Sequence, residues 1–181
     1  MKHAVSLPQS SHRFCALLLG FVALAGSASA LEDPASLPAN KRAVHALHLT
    51  ASAAYVAVSN NPQSRLFIDV RTTKEVAQVG APAGVDRQVP LFEERAGSLH
   101  RNENFVAMIE QQLAAKGLSK SDPVYVICRD GVWGARAANL LAGAGFMAVY
   151  TVTDGTEGDP DRAGEPSNVG WRVRGLPWRS I

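Results

Sequence analysis

Cysteine is scarce in this chain of 181 residues, occurring only as Cys15 and Cys128. That count excludes a small scaffold knitted by disulfides, which needs several pairs. Excess charge of one sign is also missing, since 18 Lys+Arg stand against 16 Asp+Glu with no long basic run. Nothing therefore points to nucleic acid or an anionic membrane as a partner. His45, His48 and His100 show no metal-ligand spacing, and no segment repeats. The longest apolar run, Phe14 to Ala25, falls short of the roughly 20 residues that a membrane-spanning helix needs. What remains is ordinary globular composition, 46% hydrophobic and 19% charged, at a length suited to one domain.

The first thirty residues read as an export signal. Lys2 and Arg13 supply a positive start, Phe14 to Ala25 the apolar middle, and Gly26 to Ala30 (GSASA) the small residues required for cleavage after Ala30. Cys15 lies within the apolar run, without the small-residue context of a lipoprotein site. Cleavage removes Lys2 and Arg13, leaving 16 basic against 16 acidic residues and a neutral mature chain. It also removes Cys15. Cys128 is then a single thiol in a periplasmic or secreted setting, where thiols are usually paired, and its surroundings become informative.

Residues 31–47 read as an extended leader and residues 48–181 as the folded domain. His48 to Ser59 has a helical pattern with Thr50 as a cap, and Asn60-Asn61-Pro62 ends it. Leu66 to Val70 (LFIDV) is apolar without alternation, as in a strand covered on both faces. Thr73 to Gln78 suits one or two helical turns, and Arg87 to Leu91 a short edge strand because of Pro90. Asn102 to Lys116 is a helix capped by Asn102 and stopped by Gly117. Val124 to Ile127 and Ala148 to Val152 are further strands, with a helix rich in small residues over Gly134 to Ala144 between them. Such alternation predicts an α/β domain on a mainly parallel sheet.

Cys128 follows one of these strands directly, before the loop Arg129, Asp130, Gly131, Val132 and Trp133 and then a helix. Ligands of parallel sheets gather at the carboxyl ends of the strands. A helix start offers unpaired N–H groups and a positive dipole end, and Gly131 allows a tight turn with amides facing inward. This setting is expected to lower the thiol pKa, with Arg129 adding to the effect. Nucleophilic sulfur chemistry with an anionic intermediate follows from those parts.

The stretch CRDGVWGARAANLLAGAGF (Cys128 to Phe146) resembles the active-site loop and following helix of the rhodanese family, C-R-S-G-x-R-S and then A-G-F. In chain order, LFIDVR (Leu66 to Arg71), YTVTDG (Tyr150 to Gly155) and GLPW (Gly175 to Trp178) are similar to further segments of that family, so the resemblance spans about residues 48–178. It implies a sheet of about five strands, mainly parallel, flanked by helices on both faces. The implied activity is that of a sulfurtransferase of the thiosulfate type. Cys128 would attack a small sulfur donor, become a persulfide cradled by the backbone amides of residues 129–133, and pass the sulfur to a thiol or cyanide; an exported protein is a further candidate acceptor. No metal and no organic cofactor are implied, and no membrane or nucleic-acid partner after processing. Asp69 and Arg71 read as an ion pair supporting the loop, and Arg136 as a surface cation.

Two departures from the family pattern bear on the chemistry. Asp130 stands in place of the common Ser, and an acid beside the nucleophile opposes the thiolate. Trp133 and Gly134 replace Arg and Ser, which removes a cation for an anionic donor. The related phosphatases require arginine six residues after the cysteine, where this chain has Gly134. A carrier or binding module that relays sulfur without turnover is the alternative to an enzyme. The segment Asp154 to Glu165 holds five carboxylates but lacks the regular calcium-loop spacing, and so reads as a solvated loop.

Overall fold

The computed structural model describes residues 31–160, 164–165 and 167–180; the export signal expected at 1–30 lies outside the described residues. The chain forms strands β1 (Leu47–Leu49), β2 (Leu66–Asp69), β3 (Ala81–Pro82), β4 (Arg87–Gln88), β5 (Phe92–Arg95), β6 (Ser98–Arg101), β7 (Val124–Ile127), β8 (Val149–Val152) and β9 (Trp178–Arg179). The helices are α1 (Ala51–Asn60), α2 (Thr73–Val79), α3 (Phe105–Ala115) and α4 (Val132–Gly143). Five strands make one parallel sheet in the order β1-β8-β7-β2-β4, and two small antiparallel pairs, β3–β9 and β5–β6, lie outside it.

The continuous apolar runs of β2 and β7 follow from their central positions. Leu66, Ile68, Val124 and Val126 face one core with Ile109 and Leu113 of α3 and Ala138 and Leu141 of α4. Phe67, Tyr125 and Ile127 face the opposite core with Ala54 and Val58 of α1 and with Trp171. Each central strand is thus buried on both faces, as expected of a parallel sheet covered by helices. Cys128 continues the alternation of β7 and points to the α3/α4 side.

Local boundaries differ from the sequence reading at several places, and the edge strand expected over Arg87 to Leu91 spans only Arg87–Gln88. His48 is in β1 rather than at a helix start; the helix begins after Thr50, whose Oγ1 accepts from the Ala53 amide at 3.2 Å. Residues 31–47 are not extended throughout: they contain 3-10 turns at Pro34–Ser36 and Ala39–Lys41 and bury Leu37, Lys41 and Ala43. Asn102 does not cap α3, because its side chain is committed elsewhere, donating to Pro90 O and accepting from the Asn104 amide. Finally, α4 starts two residues early, at Val132, because Gly131 adopts φ +93° and turns the chain straight into the helix.

Candidate active site

Cys128 sits at the carboxyl end of β7, only 1% exposed. Its Sγ accepts from the Gly131 amide at 3.1 Å and from the Gly134 amide at 3.2 Å. These are N–H groups of the cap and first turn of α4, the groups a helix cannot satisfy internally. The expected cradle is therefore present in part. The Val132 amide instead donates to Asp130 Oδ1 at 3.0 Å, and Trp133 is already helical. Gly134, which the sequence reading left outside the loop, supplies the second donor.

The electrostatics run against the expected low thiol pKa. Burial pushes the Cys128 thiol up from its ordinary 9.0 to about 11. The Asp130 carboxylate, its Oδ1 3.8 Å from Sγ, adds to the rise, while the amides of Gly134, Asp130 and Gly131 oppose it. Arg129 projects into solvent and does not reverse the balance. Desolvation of a fully covered sulfur outweighs the donors.

The loop is held from behind. Thr156 and Glu157 donate backbone N–H groups to the carbonyls of Cys128 and Arg129 at 2.9 and 2.8 Å. A β-carbon on Gly131 would lie 2.0 Å from Thr153 O, and one on Gly155 2.4 Å from Arg129 O. The two backbones touch where both residues must be glycine. Part of the acidic stretch is accordingly structural rather than solvated: buried Asp154 accepts from the Ala51 amide at 2.6 Å and the Gly170 amide at 3.2 Å, and Asp159 pairs with Lys41. Asp161 lies outside the described residues. The sequence placed this turn after a strand of the sheet, at Asp154-Gly155, without showing that it supports the loop.

Asp69 and Arg71 form a buried ion pair, with Arg71 Nη2 2.6 Å from Asp69 Oδ2 and Nε 3.0 Å from both carboxylate oxygens. Arg71 also donates to Gly80 O at 2.8 Å and lies 5.6 Å from the centre of the Trp178 ring. A cavity of about 160 Å³ opens on Cys128, lined by Glu75, Arg129, Asp130 and Trp133. Trp133 packs on Phe92 with ring centres 4.8 Å apart, so the β5–β6 hairpin forms part of the wall. Glu75 was also missed by the sequence reading; it completes the capping box of α2 with Thr72. Arg136 is exposed and does not line this cavity, and His48 is a buried core residue whose Nε2 accepts from the Ala43 amide at 3.0 Å.

The cysteine thus stands at the end of a central parallel strand of an α/β domain, with amides of the following helix turned onto its sulfur. The rhodanese-like domain profile matches residues 52–158, and the chain belongs to that family. Among solved structures, Rv0390 from M. tuberculosis is 30% identical, with a TM-score of 0.57 over 74% of this chain and 97% of that one. The polysulfide-sulfur transferase from Wolinella succinogenes is 23% identical, with a TM-score of 0.48 over 79% and 83% of the two chains. An uncharacterized protein from Rickettsia rickettsii is 27% identical over 132 residues, 73% of this chain and 96% of its own length.

Proposed function

We propose that the protein is an exported sulfurtransferase that carries sulfur as a Cys128 persulfide. The observation that carries this reading is the pair of amides on Cys128 Sγ, because backbone donors aimed at a sulfur favour its anionic forms. In the first half-reaction the thiolate attacks the outer sulfur of a sulfane donor. The donor's S–S bond breaks, its electron pair leaves with the remainder (sulfite, when the donor is thiosulfate), and Cys128 becomes Cys–S–S⁻. In the second, an acceptor thiolate or cyanide attacks the outer sulfur and the electron pair returns to Sγ. No outside oxidant or reductant is required.

The cavity walls modify the choice of donor. Arg129 is the one cation beside two carboxylates, Glu75 and Asp130, an environment that disfavours a dianion such as thiosulfate relative to a donor of lower charge. A thiol only 1% exposed also favours, as a second reading, a carrier that discharges to a partner protein after local opening. The N-terminal pattern of Lys2 and Arg13, the apolar run Phe14 to Ala25 and the small residues Gly26 to Ala30 supports a periplasmic or secreted location.

Intact mass of the mature chain after treatment with a sulfane donor tests the reading. Wild type is expected to gain one sulfur, about 32 Da, and Cys128→Ser none. Retention of sulfur transfer by Cys128→Ser would overturn the mechanism.

A further inference from the structure

Beside the Cys128 cavity lies a larger one, about 230 Å³, lined by Arg71, Glu75, Gln78, Val79, Arg129 and Glu157. Glu75 and Arg129 line both, so the two spaces meet along a shared wall. The larger cavity presents two cations and two carboxylates, and they are not equally committed. Arg71 is locked by Asp69 and Gly80 O and acts as a fixed floor. Glu75 uses Oε2 for the Thr72 amide and hydroxyl. Arg129, in contrast, is exposed and forms no ion pair with any carboxylate among the described residues. Glu157 Oε1 lies 3.2 Å from Arg172 Nε without hydrogen-bond geometry, and that oxygen is buried with no donor. Buried carboxylate oxygens without donors are uncommon and costly.

From this arrangement we infer that the second cavity is the acceptor subsite and selects a small thiol carrying both an ammonium and a carboxylate, the chemistry of a thiol amino acid. This rests on the persulfide reading of Cys128. Arg129 takes the carboxylate through its planar fork, Glu157 turns from its pairing with Arg172 to take the ammonium, and the thiol crosses the Glu75/Arg129 wall to the persulfide. The acceptor thiolate attacks the outer sulfur, the Cys–S–S bond breaks with its electron pair returning to Sγ, and the acceptor leaves as its own persulfide. A lining that balances opposite charges suits a zwitterion and gives a simple anion or simple cation only half of the contacts.

The experiment loads Cys128 with sulfur and measures discharge to L-cysteine, cysteamine, 3-mercaptopropionate and 2-mercaptoethanol, each rate corrected for the fraction of thiolate. L-cysteine is expected to exceed 2-mercaptoethanol by at least about tenfold in kcat/KM, with the two singly charged thiols between, since each charge-assisted contact is worth a substantial part of a decade. Glu157→Gln should lower the cysteine-to-mercaptopropionate ratio, and Arg129→Gln the cysteine-to-cysteamine ratio. Four equal acceptors in wild type, or variants that lower all four in parallel, would overturn the subsite. Titration of the unloaded protein with the unreactive probe S-methylcysteine separates this inference from the one beneath it. Binding that weakens in Arg129→Gln, with no persulfide formed on Cys128, would sink the sulfur-transfer reading and keep the zwitterion site. Absence of binding together with equal discharge would remove the site alone.

Discussion

Two regions of the molecule turn the chain sharply with glycine, and they do so on different terms. In the β5–β6 hairpin, Ala96 and Gly97 have φ +49° and +77°, and nothing lies within 4 Å of where a Gly97 side chain would start. All four residues of β6 are exposed, and the local ion pairs, Glu93–Arg95 and Arg101–Glu103, are on the surface. At the Cys128 loop, Gly131 and Gly155 also have positive φ, but each presses against the backbone of the other segment, and the nearby ion pair, Asp69–Arg71, is fully buried. The hairpin needs only a conformation. The loop needs a conformation and an absence of atoms, and its charges have no water to fall back on.

Ion pairs give the largest test of that contrast. Asp69→Ala leaves a buried guanidinium without its partner and should cost about 3–5 kcal/mol in urea unfolding, whereas Glu93→Ala in the hairpin should cost less than about 0.5 kcal/mol. Equal costs would mean that the Asp69 site admits water. Glycines come next. Gly131→Ala combines positive-φ strain with a clash against Thr153 O and should cost about 2–4 kcal/mol, and Gly97→Ala about 1 kcal/mol from φ alone. A Gly131→Ala protein as stable as Gly97→Ala would show that the two loops can separate.

Trp133 joins the two regions, since its ring packs on Phe92 of the hairpin while its backbone starts α4. Trp133→Arg should raise turnover with thiosulfate about tenfold if a missing charge-assisted contact worth ~1.5 kcal/mol limits that donor. An unchanged or lower rate in a steady-state assay assigns the ring to packing. The smallest effect concerns Asp130. Alkylation of Cys128 should increase with pH until about 11, and Asp130→Asn should move that profile to lower pH by removing a carboxylate that disfavours the thiolate. Because the folded-state pKa is raised, the unfolded chain loses its thiol proton first; stability from this group is intact below about 9 and declines as pH rises towards 11. Coincident alkylation profiles would remove Asp130 from the account.

Those contrasts also explain what could be read in the sequence. The strands at Leu66, Val124 and Val149 and the placement of Cys128 were legible because burial on both faces leaves an unbroken apolar run in the one-dimensional record. The hairpin was not, since Phe92–Arg95 and Ser98–Arg101 lie largely in water and carry no alternation of apolar and polar residues. β1 escaped notice because three residues at the sheet edge run straight into a capped helix, whose signal masks them. The support behind the Cys128 loop is made by amides and carbonyls of Cys128, Arg129, Thr156 and Glu157, which leave no side-chain signature. The raised thiol pKa was hidden for a similar reason: helix start and arginine are visible in sequence, but the depth at which the sulfur is covered is not.

The clamp on the supporting turn has a consequence in time. Thr153 O is held by Lys41 Nζ at 3.0 Å and Asp154 by the Ala51 amide, while β1 joins the sheet only through β8. The thiol's surroundings are therefore closed by contacts between segments about a hundred positions apart in the chain, and long-range contacts of this kind form slowly. If those contacts close last, Cys128 is less covered in the partly folded chain than in the folded protein. A thiol-capping reagent is therefore expected to react faster with Cys128 in the refolding chain than in the folded protein, where the sulfur is almost wholly covered.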